Sequence, residues 1–129
     1  MVLCTVLISA GVLVVGTSQA EARSFATGSS FGFYKGTPGT AYPSSFHGQV
    51  HSDANQCRKG RLVKLMRKRP RRTVLVRRTR ASLTGQWTIR MARVPTARYF
   101  ALVPRKRFGP GGRHLCRAYR TTILRFGDS

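Results

Sequence analysis

Twenty-four lysines and arginines share this 129-residue chain with only three acids, Glu21, Asp53 and Asp128. No backbone arrangement can pair more than a few of those cations with carboxylates. At a net charge of +21 the chain repels itself in any compact state. A fold must therefore rest on apolar burial, on a covalent link, or on both. The same charge attracts polyanions and repels cations. The length suits one domain and not two.

The N-terminus bears on the covalent link. Residues Met1 to Val15 are almost wholly apolar, a run shorter than the roughly 20 residues a membrane helix needs. It suits the core of a signal peptide. Ala20-Glu21-Ala22 is an A-x-A cleavage site, and Ser18-Gln19-Ala20 offers another two residues earlier. No base precedes the apolar run, so the true start lies upstream or the amino terminus supplies the charge. A retained membrane anchor is the competing reading. Cys4 has no lipobox before it, which argues against a lipoprotein anchor. Cleavage after Ala22 removes one acid and no base, so the mature chain is more basic still. The expected location is secreted or extracellular.

Cys4 would leave with the signal, and two cysteines, Cys57 and Cys116, would remain. In an oxidising compartment they have one intramolecular pairing. It closes a loop of about 60 residues, worth roughly 4 kcal/mol by chain entropy. Two free buried thiols are the alternative.

Residues 23–44 are rich in Gly, Ser, Thr and Ala, without a period of 2 or 3.6. They read as a flexible, disordered linker. Its aromatics Phe31, Phe33, Tyr34 and Tyr42 leave open docking on the domain or on a partner. From residue 45 onward the texture changes. Short alternating segments surround Phe46–Val50, Arg61–Met66, Arg72–Thr79, Trp87–Met91, Tyr99–Val103, Leu115–Tyr119 and Thr121–Phe126. Arg69-Pro70-Arg71, Leu83-Thr84-Gly85, Val94-Pro95-Thr96 and Phe108-Gly-Pro-Gly-Gly112 punctuate them. This predicts an all-β fold: a single antiparallel β-sandwich of about seven strands over residues 45–129, preceded by a signal-peptide helix (1–22) and the linker. The expected core is Val63, Leu65, Trp87, Ile89, Tyr99, Ala101 and Val103. For Trp87, carbohydrate stacking is the minor alternative.

The order Gly48-x-Val50-x-Ser52, Cys57, Arg61-x-Val63-x-Leu65, Gly85-x-Trp87-x-Ile89, Tyr99-x-Ala101-x-Val103, Cys116-x-Ala118 resembles the carboxypeptidase-regulatory-like domains of secreted actinobacterial proteins. These belong with prealbumin-like (transthyretin-like) β-sandwiches. The resemblance covers roughly Phe46 to Phe126. Leu83-Thr84 stands where such domains often carry an acid, and Arg98 where many carry Gly. It implies a non-catalytic module.

The residues themselves offer little chemistry. Paired-carboxylate hydrolysis has only Asp53 and the penultimate Asp128 to draw on. No nucleophile elbow occurs. His47 and His51 on one strand stand about 13 Å apart, too far to share a metal. A ribonuclease-like site would need two of His47, His51 and His114 to converge on one phosphate. No cofactor, metal or small-molecule substrate is expected.

The basic clusters are the strongest functional signal. They are Arg67, Lys68, Arg69, Arg71 and Arg72 around Pro70, then Arg77 and Arg78, then Arg105, Lys106 and Arg107. Arginine dominates, and guanidinium forks suit phosphates. The expected partner is a polyanion: a cell-wall polymer, nucleic acid or an anionic membrane surface. Solvated hairpin turns and a GC-rich coding bias compete as explanations. No helix-turn-helix, zinc finger or RNA-recognition motif is present. A structural role with a protein partner is the alternative function.

Overall fold

The computed structural model describes residues 21–37 and 43–128. The expected signal segment, apart from the exposed Glu21 and Ala22, lies outside these residues, as does Tyr42. The described chain is all β. Its strands are β1 (Ser24–Phe25), β2 (Gly28–Ser29), β3 (Gly32–Tyr34), β4 (Ser44–His51), β5 (Leu62–Lys68), β6 (Thr73–Arg80), β7 (Gln86–Met91), β8 (Ala97–Val103), β9 (Lys106–Phe108), β10 (His114–Cys116), β11 (Tyr119–Arg120) and β12 (Leu124–Phe126).

The five long strands, β4 to β8, form where alternation predicts them, because each has one face to bury. Val63 and Leu65 of β5, Trp87 and Ile89 of β7, and Tyr99, Ala101 and Val103 of β8 all lie in one buried cluster with Phe46 and Val50 of β4. Each of the Val, Leu, Ile and Phe side chains among them contributes about 1.5–3 kcal/mol by leaving water. Two antiparallel sheets supply that cluster. One runs β11-β8-β5-β6, with β12 beside β11 on the same edge of β8. The other centres on β4, with β7 on one side and β2 and β3 on the other. A third, small sheet joins β1, β10 and β9, with β1 parallel to β10.

Residues 24–34 correct the linker reading. They form β1, β2 and β3 rather than a disordered leader. The reason is aromatic burial. The Phe31 ring stacks on Phe46 at 5.8 Å and meets Phe126 edge-on at 5.4 Å. Phe33 lies 4.9 Å from Phe46, and Ser29 Oγ accepts from Trp87 Nε1 at 3.1 Å. A Cβ on Gly48 would collide with the Ser30 carbonyl and the Trp87 ring, so glycine lets this segment approach. Tyr34 stays exposed. Strands of two or three residues show no period, which hid them from the sequence. The strand count also rises, because the last two expected strands divide into β10, β11 and β12, and Lys106 and Arg107 of the third basic cluster enter β9 with Phe108.

Gly85 adopts φ +89° in the turn before β7, and a Cβ there would strike the Val50 carbonyl. Cys57 and Cys116 are bonded, S–S 2.04 Å, with Cα atoms 5.4 Å apart.

Candidate anion-binding site

Alternation decides which cations meet. On β5, Val63 and Leu65 point into the core, so Lys64, Met66 and Lys68 point outward. Register then aligns neighbours. Lys68 stands opposite Arg98 of β8, and Arg98 stands opposite Arg125 of β12. Three cations therefore line up across three adjacent strands, spaced about 5 Å per strand. Like charges directly opposite destabilise a sheet. Charges held at that spacing would repel by about 0.8 kcal/mol per pair in water before salt screening.

The row opens onto a cleft of about 550 Å³ lined by Arg67, Lys68, Arg69, Pro70, Ala97, Arg98 and Arg125. No acid lines it. Asp128 is buried, accepting from the Val94 backbone N–H at 2.8 Å and the Ser44 hydroxyl at 3.1 Å. Under the cleft, burial raises the Tyr99 phenol above its ordinary pKa; Arg67 opposes that shift and Asp128 adds to it. The phenol donates to the Pro95 carbonyl at 2.6 Å. Guanidinium forks and an ammonium group lining an open cleft can bind phosphate, sulfate or carboxylate groups.

The sequence clusters divide in space. Arg67, Lys68 and Arg69 join the cleft, whereas Arg71 and Arg72 sit exposed on the β5–β6 turn, closed by Arg69 N–H to the Arg72 carbonyl at 2.8 Å. Arg78 faces outward opposite Lys64, and Arg77 lies at the bulge of β6. Arg105, Lys106 and Arg107 belong to another part of the molecule: Lys106 donates to the Gln56 carbonyl and Arg107 to the Gly112 carbonyl, both at 3.3 Å. Arg98 and Arg125, isolated in sequence, are the members that sequence clustering missed. Their signal was parity on two separate strands, legible only once the strands were paired.

A second missed residue is Arg61, only 1 % exposed. It has no carboxylate among its hydrogen-bond partners. Its guanidinium donates to the carbonyls of Pro104 (2.8 Å), Cys57 (2.9 Å), Arg117 (2.9 Å) and Cys116 (3.4 Å), and to Thr27 Oγ1 at 3.1 Å. Desolvation lowers its pKa. It ties the leader, both disulfide residues and the β8–β9 turn together.

The histidines occupy separate settings, none in the cleft lining. His47 and His51 stand four apart on β4. His51 borders a second concavity, about 350 Å³, with Asp53 and Arg58. His114 packs against Phe108, ring centroids 5.0 Å apart, and accepts from the Arg23 backbone N–H. Among the described residues no three His, Cys, Asp or Glu gather in metal-binding geometry. No described helix is long and apolar enough to cross a membrane, and the disulfide is consistent with an extracellular protein. No family model matches the chain, and no curated protein or solved structure is significantly similar to it.

Proposed function

We propose that this is a secreted, non-enzymatic β-sandwich module whose cleft binds anionic polymers at the cell envelope. In this reading residues 1–22 are a signal peptide, and the carboxypeptidase-regulatory-like resemblance reflects a shared prealbumin-like architecture. The observation that carries the function is the Lys68–Arg98–Arg125 row. It places like charges in register at a cost to the sheet, with no acidic side chain among the described residues of the cleft to relieve it. An incoming polyanion would supply the missing negative charge.

The test is retention on immobilised polyphosphate and single-stranded DNA across a salt series. With three to five phosphates engaged, log K against log salt should slope about −2 to −3.5 on the single strand. Arg98→Glu should abolish retention at moderate salt. Reversal of Arg105, Lys106 and Arg107 should leave most of it. Equal losses from the two variants would mean that net charge, not the cleft, does the binding.

A further inference from the structure

The outer face of the β6-β5-β8 sheet carries more than anion binding requires. Its outward residues fall into rows about 7 Å apart along the strands. The first is the cation row Lys68–Arg98–Arg125. The next is apolar: Leu75 pairs with Met66, and Met66 with Phe100. The third is again basic at both ends, with Arg78 opposite Lys64, Lys64 opposite Leu102, and Leu102 opposite Arg120. Leu75 is 45 % exposed. Phe100 is covered, with the Arg120 guanidinium 5.6 Å from the ring centroid.

An apolar stripe flanked by cations narrows the partner. A flexible polyanion uses only the charges, and the stripe interrupts them. A second copy of this chain would set +21 against +21. A bilayer surface offers both chemistries at once: a plane of anionic headgroups and, just beneath it, an acyl boundary that takes apolar side chains. Arg120 lying over Phe100 suits this, because a long cationic side chain can swing toward phosphates while its stem stays on apolar surface.

We propose that this sheet face docks on anionic phospholipid bilayers, with Met66, Leu75 and Phe100 toward the acyl boundary and the flanking cations on lipid phosphates. For its cation rows the proposal rests on the anion-binding reading. It goes beyond that reading in the apolar row.

The experiment uses the full chain, vesicles of phosphatidylcholine with or without one-third phosphatidylglycerol, and soluble polyphosphate. Binding to pure phosphatidylcholine measures any contribution unrelated to charge; the phosphatidylglycerol-dependent increment measures charge-dependent binding, and the variants assign it to this face or to the basic surface at large. The variants are Leu75→Gln and Met66→Gln with Leu75→Gln, each checked for an unchanged thermal midpoint; the exposed Leu75 change stands alone if the double variant unfolds. The increment should fall about tenfold in the double variant and less in the single, since burying even a couple of methylenes is worth about that much. Polyphosphate binding should stay unchanged. An increment present in the unaltered chain but indifferent to these variants overturns the bilayer proposal and leaves polyanion binding standing. No increment together with intact polyphosphate binding does the same. Loss of polyphosphate binding in the unaltered chain would overturn both.

Discussion

Two regions of this molecule hold arginine without a carboxylate partner, and they handle it in opposite ways. At the disulfide end, Arg61 is removed from water and its guanidinium donates to backbone carbonyls and to Thr27. At the cleft, Lys68, Arg98 and Arg125 face one another across strands and keep their water. The first arrangement stabilises, because four carbonyls from three segments gain a fixed donor. The second opposes folding, because aligned like charges repel. A chain this short of acids uses neutral carbonyls wherever a guanidinium must be buried. Where its cations stay wet, they remain available to an external anion.

The largest test of that contrast is removal of the covalent link at the Arg61 end. Replacing Cys57 and Cys116 together by Ala should cost about 4 kcal/mol, comparable to the whole stability of a small domain. Denaturation should then show a chain folded only at high salt, where self-repulsion is screened. Unchanged stability at low salt would remove the disulfide from the account.

Next comes Arg61→Leu. It strands several buried carbonyls, each costing about 1–3 kcal/mol, so a total loss of about 3 kcal/mol or more is expected in urea titration. Arg61→Lys should recover little, because an ammonium group cannot span the same carbonyls.

The cleft should respond with the opposite sign. Arg98→Glu turns two repulsive cross-strand pairs into attractive ones, so the melting midpoint should rise, by about 1 kcal/mol in stability, while polyanion retention disappears. A fall in stability would mean that the cation row is not under strain.

The smallest effect concerns Tyr99. Its phenol holds its proton more tightly in the folded than in the unfolded chain. Between its ordinary pKa of 10.0 and the raised folded value, the unfolded chain loses the proton first. Stability present below pH 10 is therefore lost as pH rises through that window. Tyr99→Phe, although it gives up the bond to Pro95, should flatten this alkaline decline. An equally steep decline in the variant would assign it to other groups.

Much of the scaffold was legible in the chain. Alternation located β4 to β8 because each buries one face, and Gly85 marked its turn because a Cβ has no room there. The leader was not legible, since β1 to β3 are too short for any period and are held by distant rings: Phe31 and Phe33 contact Phe46, and Phe25 of β1 contacts Phe108 and His114. Arg61 carried a mixed signal. Its spacing from Val63 and Leu65 placed it inward, its charge argued outward, and the carbonyls that resolve the conflict come from remote turns.

The cleft followed the same logic. Arg67, Lys68 and Arg69 stood out as a run, whereas Arg71 and Arg72 in the same run turn away on the hairpin. Sequence alone determined the charge imbalance and the outward parity of Lys68, because these depend only on composition and on alternation along a strand. The tertiary structure alone decided that Lys68, Arg98 and Arg125 form one row. Strand order and register bring residues 27 positions apart to a spacing of about 5 Å, and no local pattern encodes which strands become neighbours.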